Sequence, residues 1–206
     1  MPRFSACLAG LLCLALATGP LQAQPGQTPA PTQTPTPAPA QTAAEERAAW
    51  FERLKWPAAY EEQFQASGLP EKRFSGLQFF ALSAGWHLVE VQVDAGAYQP
   101  VLIYMLYHKD KGLSRLLQLP MVHQGKHYVQ QEVVGLAEFD GQHQELSVYS
   151  KDRGAGGCGS YAVWGFNGTE ARLISLREQS CPEADQAAEM IVDPRRFPLI
   201  WPRPCD

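Results

Sequence analysis

Charge is scarce in this sequence: Asp, Glu, Lys and Arg together make up 18% of its 206 residues, and the 17 Lys and Arg are outnumbered by 21 Asp and Glu. The basic residues are not clustered, so the counterion release that drives nucleic-acid binding has no source, and no nucleic-acid partner is expected. Long apolar runs are missing as well. The run from Phe4 to Ala17 covers 14 residues, short of the ~20 that a spanning helix requires, and nothing later is longer. No membrane span is expected once that run is removed. Cysteine occurs five times, with Cys7 and Cys13 inside the apolar run, which leaves Cys158, Cys181 and Cys205 to the rest of the chain.

What is present begins with a leader. Arg3 supplies a short positive start, Phe4 to Ala17 the apolar stretch and Leu21-Gln22-Ala23 a small-residue cleavage site, so residues 1–23 read as a secretory signal peptide and the exported protein begins near Gln24. Cys13 lies in mid-run after Gly10-Leu11-Leu12, which fits cleavage better than lipidation. From Gln24 to Ala44 every residue is Gln, Pro, Gly, Thr or Ala, six of them Pro. Such a stretch buries too little surface to repay its ordering entropy and is expected to be an extended, disordered linker. Residues 45–206 remain as a single β-rich domain with N-terminal helices over 43–67.

Local patterns give that domain its elements. Thr42 and Glu45 form a capping box, with Glu45-Glu46 at the positive end of a helix. Trp50, Phe51 and Leu54 give this helix a packing face; Pro57 ends it and opens a second short helix carrying Tyr60 and Phe64 before Ser67-Gly68. The carboxylate pairs Glu45-Glu46 and Glu61-Glu62 read as solvated faces. Beyond Leu69 the period falls from 3.6 to 2. Val89, Val91 and Val93 alternate with Glu90 and Gln92, as in a half-buried strand. Val101 to Tyr107 is a continuous apolar run suited to a central strand covered on both faces, with Leu113 to Leu119 as its partner. Asp140-Gly141 and Asn167-Gly168 are two-residue hairpin signals. Eight to ten short strands with frequent turns predict a mainly β fold, an antiparallel β-sandwich or barrel with one or two short N-terminal helices.

In an oxidising compartment the default for Cys158 and Cys181 is a structural disulfide. Pairing Phe166 with Thr169 across the second hairpin sets Cys158 opposite Arg177, four residues short of Cys181, a gap that a loop or bulge closes. Such a bridge contributes roughly 3 kcal/mol through chain entropy. Cys205 has no assigned partner. The glycine-rich segment from Arg153 to Ser160 matches neither a phosphate loop, which needs Gly-Lys-Ser/Thr opening a helix, nor a nucleophile elbow, which needs Gly where Ser160 stands. It reads as a structural turn, and no cofactor is expected. His123 and His127 flank a hairpin tip, where two facing imidazoles could share a Zn or Cu ion completed by His108, His143 or an Asp or Glu, a weak metal candidate. His87 reads as a satisfied core or boundary residue.

Two resemblances add to this reading. Trp56-Pro57 with Glu61-Glu62 and Phe64, Val91-Gln92-Val93 leading into Gly96-Ala97-Tyr98-Gln99, Lys151 to Gly154 with Gly157-Cys158-Gly159, Trp164-Gly165-Phe166-Asn167-Gly168, Cys181 and Trp201-Pro202 together resemble the bacterial periplasmic family catalogued as domain of unknown function 1176. That resemblance implies a periplasmic address and carries no catalytic residues; Cys often stands in the family at the positions that here hold Tyr60 and Val93, so a second bridge joining helix to strand is expected to be missing. More loosely, Ala95-Gly96-Ala97-Tyr98 is similar to the Ser-Gly-x-x-Tyr loop with which periplasmic lysozyme inhibitors plug a glycosidase cleft; Ala95 replaces the Ser. Gly96, Ala97 and Tyr98 are therefore the candidate binding loop. The leading expectation is an exported periplasmic protein that is not an enzyme and serves binding or envelope maintenance, its partner an envelope protein or cell-wall component. The alternatives are a lysozyme or glycosidase inhibitor acting through residues 95–98, and a metal-binding protein or metal-dependent hydrolase using His123 and His127.

Overall fold

A computed structural model of the chain describes residues 42–70, 74–154, 156–181 and 193–202. The signal over 1–23, the linker up to residue 41 and Cys205 lie outside the described residues. The first helix, α1 (Ala43–Leu54), opens with the expected capping box: the Thr42 hydroxyl accepts from the Glu45 amide at 3.3 Å, and the Glu45 carboxylate accepts from the Thr42 amide at 2.8 Å. It ends at Lys55, which adopts a left-handed φ of 56°. In α2 (Ala58–Ala66), Pro57 stands at the N-cap.

Strands β1 (Leu77–Ala81), β2 (Trp86–Asp94), β3 (Val101–His108) and β4 (Leu113–Leu116) pair in chain order. Beside β3, β4 occupies the stretch Met105–His108 and β7 (Glu132–Val134) the stretch Val101–Ile103. A ribbon of β5 (Leu119–His123) and β6 (Lys126–Gln130) stands apart. The second five-stranded sheet consists of β8 (Leu136–Asp140), β9 (Glu145–Lys151), β10 (Gly159–Asn167), β11 (Glu170–Gln179) and β12 (Leu199–Trp201), in the spatial order β12-β11-β10-β9-β8. Every pairing is antiparallel. The fold is mainly β.

Burial shows how the layers meet. Leu88, Leu102, Tyr104 and Leu106 of the first sheet and Leu146, Val148, Trp164 and Leu176 of the second share one cluster, none more than 2% exposed. The two sheets are the halves of a sandwich. On the opposite face of the first sheet, Val89, Val91, Val93, Ile103 and Met105 pack beneath Leu54 and Trp56. The half-buried reading of residues 87–93 is therefore corrected. Helices cover one face of β2 and the second sheet covers the other, so even Glu90 is only 7% exposed.

Two turns also differ from expectation. Asp140 pairs with Glu145, so four residues rather than two join β8 to β9. The Asp140 carboxylate accepts from the amides of Gln142 and His143 at 2.8 and 3.1 Å, closing the turn from its side chain, and the positive φ falls at Gln144. Between β10 and β11, Asn167 pairs with Glu170, so Gly168 and Thr169 form the turn, one place later than Asn167-Gly168.

One buried cation ties the helical layer down. Arg47, on α1, is 2% exposed; its Nε donates to both oxygens of Glu61 on α2, at 3.1 and 2.9 Å, and its Nη1 donates to the carbonyls of Ser75 and Gln92 at 2.9 and 3.2 Å. The guanidinium carbon lies 3.4 Å from the centre of the Phe64 ring. Glu61 also accepts from the Trp56 indole and from Gln65, which corrects the reading of Glu61 as part of a solvated face. Burial lowers the pKa of Arg47, while the Glu61 charge and hydrogen bond oppose that shift. Removing the carboxylate strands a desolvated charge, so Glu61→Leu is expected to cost about 3–5 kcal/mol. Adding Arg47→Met to that variant should restore a large part of the loss, a comparison that urea unfolding of the single and double variants measures.

A candidate cleft beside the disulfide loop

The end of the sandwich where β9 turns into β10 gathers most of the residues singled out by sequence. Cys158, fully buried, is bonded to exposed Cys181, with their Cα atoms 4.9 Å apart. The register explains how the gap between them closes. The later turn moves the pairing by two residues, and a bulge between Val163 and Trp164 moves it by one more, so that Gly159 faces Gln179 and Cys158 lies one step from Cys181. At Gly159, φ is 129° and a Cβ would sit 2.0 Å from the Ser150 carbonyl oxygen, so no other residue fits. Around the bridge, Tyr149 Oη accepts from the Gly157 amide at 3.0 Å and Gln179 donates to the Gly157 carbonyl at 2.7 Å.

The loop over residues 95–99 is fastened to this segment. Gly96 has a φ of 59°, and a Cβ there would lie 2.2 Å from the Gln99 carbonyl oxygen. Its amide donates to Asp94, which also accepts from Gln63 of α2. These two hydrogen bonds, that from Gln63 first, hold the Asp94 carboxyl below its usual range. Gln99, 8% exposed, donates to the Lys151 carbonyl and accepts from the Lys151 amide, at 3.1 and 2.9 Å. The Tyr98 hydroxyl donates to the same carbonyl at 3.2 Å, while 46% of the residue stays exposed. Gly96, Ala97 and Tyr98 thus form a braced loop beside the disulfide turn.

Next to it opens a cleft of about 390 Å³ between the β5–β6 ribbon and the second sheet. Its floor is apolar: Met121, Val122, Val148, Ala162 and Trp164 are all buried. The Trp164 indole donates to the Pro120 carbonyl at 2.7 Å, pinning the ribbon over the sheet. The rim is polar, with Glu132, Lys151, Asp152, Ser160 and Glu178 among its residues. Sequence reasoning missed this cleft because its residues come from six strands that only the tertiary fold brings together.

The histidines do not converge. His123 faces Lys126 and His127 faces Val122, so the two imidazoles leave opposite faces of the ribbon, which corrects the picture of two facing rings. His123 borders the cleft, and His127 packs edge-on against Trp201, centroids 5.1 Å apart. His143 is hydrogen-bonded to Asp140 in the exposed β8–β9 turn, and buried His108 packs against Trp86. His87 Nδ1 is buried without a partner, so the reading of that ring as satisfied is corrected. Among the described residues, one set of three potential metal ligands lies within 4.8 Å, Asp152 with Cys158 and Cys181, and its two sulfurs are joined to each other.

A second polar cluster was also missed. Inside the sandwich, Glu90 on β2 accepts from the Tyr104 hydroxyl at 2.8 Å and from Gln78 at 3.2 Å. Burial pushes the Glu90 carboxyl above its ordinary 4.5, against the pull of the Tyr104 hydrogen bond, and burial together with the Glu90 charge pushes Tyr104 up.

A family model described as "Protein of unknown function (DUF1176)" matches residues 16–192. The chain belongs to this family. "Uncharacterized protein YpfG" of Escherichia coli strain K12 is 30% identical over 125 residues, which are 59% of this chain and 33% of that protein. The chain thus spans about a third of that relative's length. No solved structure matches. Family membership agrees with the resemblance carried by the motifs from Trp56-Pro57 to Trp201-Pro202, and the family description assigns no activity to transfer to the cleft.

The Glu90 pair makes a pH prediction. Its raised pKa means that the folded state keeps this proton longer than the unfolded state does. The contribution is therefore fully present below pH 4.5 and is lost as pH rises through the folded-state value. Measured by thermal unfolding across that range, wild-type protein is expected to lose stability relative to Glu90→Gln as pH increases.

Proposed function

We propose that this chain is an exported, non-enzymatic binding protein whose ligand occupies the cleft between the β5–β6 ribbon and the second sheet. The observation that carries the reading is the make-up of the cleft. A floor of buried apolar side chains ending at Trp164 lies beneath a ring of polar groups, within the size range of small-ligand sites. Polar side chains near its mouth are spent on backbone partners: Gln99 bonds Lys151 and Ser150 bonds the Val134 carbonyl. Such bonds shape walls. They do not assemble a nucleophile with its base. Export to the periplasm is supported by the leader pattern over residues 1–23 and by the Cys158–Cys181 bridge, and envelope maintenance or cell-wall recognition is the role such a tethered binder serves.

Protein recovered from an envelope extract is expected to carry a bound mass in native mass spectrometry. Ser160→Trp, which fills the cleft from β10, should lose that mass while keeping its far-UV circular dichroism. Identical spectra for the two proteins would refute the reading.

A second reading, inhibition of a lysozyme or glycosidase, is favoured by one observation: Tyr98 is 46% exposed on a loop whose backbone and side-chain bonds already fix it. A braced loop loses little conformational freedom when it docks. On this reading Tyr98→Ala raises the inhibition constant at least tenfold. Lysozymes that stay fully active in the presence of the wild-type protein would eliminate it.

A further inference from the structure

We infer that a second copy of this chain pairs with the outer edge of β1, joining two first sheets about a two-fold axis. The inference does not depend on the cleft. Register decides which groups of β1 are free. The Gln92 amide donates to the Gly76 carbonyl and the Leu82 amide to the Trp86 carbonyl, with Gln78 and Phe80 opposite Glu90 and Leu88 between them. Residues 76, 78, 80 and 82 therefore turn their backbone groups toward β2, and Leu77, Phe79 and Ala81 turn theirs outward. Among the described residues no strand lies beyond β1 in its sheet. The Ala81 carbonyl accepts from the Gln144 side chain at 3.2 Å and keeps a second lone pair.

Unpaired edges are normally guarded by charge, by proline or by shortness. The other edges of this molecule follow that rule. β4 carries Arg115, β5 Pro120, β6 Lys126, β7 Glu132 and β8 both Glu138 and Asp140, while β12 is three residues between Pro198 and Pro202. β1 reads Leu77-Gln78-Phe79-Phe80-Ala81 and has none of these guards. Phe79 is 37% exposed.

Neutrality selects the occupant. In an antiparallel joint centred on Phe79, that residue faces its counterpart in the copy, Leu77 faces Ala81 and Gln78 faces Phe80. The outward amides and carbonyls of the two strands then meet one another, and no charge opposes a like charge. The same operation on β8, centred on Glu138, sets carboxylate against carboxylate. A strand whose side chains are all neutral is thus complementary to itself, as a two-fold interface requires. The Trp50 ring, 4.5 Å from the Phe79 ring, backs each Phe79, so the joint gathers the aromatic rings of both chains on the helical side of the sheet.

Sedimentation velocity and amide hydrogen exchange on the purified protein test this. A monomer–dimer equilibrium is expected. The Leu77, Phe79 and Ala81 amides should exchange more slowly as concentration is raised, whereas the Gln78 and Phe80 amides stay protected at every concentration. Phe79→Lys sets two positive charges against each other and should raise the dimer dissociation constant roughly tenfold or more. Ala81→Pro removes an amide that points away from β2 and should also weaken the dimer, with β1 still paired to β2. Should Phe79→Lys disturb the packing on Trp50, Ala81→Pro carries the comparison, its protected Gln78 amide reporting an intact sheet. A monomer at every concentration up to about 1 mM would overturn the proposal. So would a dimer in which the Phe79 amide exchanges as freely as in the monomer, or protection of that amide that ignores concentration, which means that the chain's own residues cover the edge. A folded variant that dimerises as tightly as wild type would do the same.

Discussion

A guanidinium sealed from water holds the helical layer to the first sheet. Arg47 reaches from α1 to a carboxylate on α2, to the Ser75 carbonyl before β1 and to the Gln92 carbonyl on β2, with the Phe64 ring against its face. A charge in such a place is tolerable only when its partners are all present, so these segments dock together or leave the cation uncompensated. The covalent tie that the family resemblance places at positions 60 and 93 is missing from this chain. Here Tyr60 and Val93 belong to one apolar cluster with Leu54 and Trp56, and the attachment of helices to strand is ionic and apolar instead. With that layer in place β2 and β3, at the middle of the first sheet, are covered on both faces, one by the helices and the other by the sandwich core.

Features that depend on neighbours in the chain were legible in the sequence. The Thr42 and Glu45 cap, the stop before Pro57, the strand at 101–107 and its partner, expected over 113–119 and formed over 113–116, all follow from residues within a few positions of one another. Features that depend on register or on layering were not. Glu90 and Gln92 alternate with valines as a solvated face would, and nothing local reveals that a second sheet lies over them. His123 and His127 look like a facing pair until the hairpin register places them on opposite sides. The same holds for Arg47, which resembles any surface arginine of an amphipathic helix. Only its distant partners, Ser75 and Gln92, mark it as buried.

The cysteine pair lies between these cases. Compartment and spacing pointed to the bond, and the strand pairing needed two corrections, a later turn and a bulge, before the geometry agreed. The bridge also reaches beyond its own hairpin. Tyr98 and Gln99 hang from the Lys151 carbonyl, seven residues before Cys158, so the binding-loop candidate and the rim of the cleft share one backbone anchor.

Pro120 gives the β5–β6 ribbon an unusual attachment. It lends its carbonyl to Trp164 and has no amide to give in return. The ribbon is consequently fastened to the sandwich through an indole and not through a row of backbone bonds, and it remains a two-stranded unit of its own. Its hold on the sheet is otherwise apolar, because Leu119 and Met121 of β5 belong to the sandwich core, so the ribbon and the sheet stay together through buried side chains and one indole bond while its internal pairing is its own.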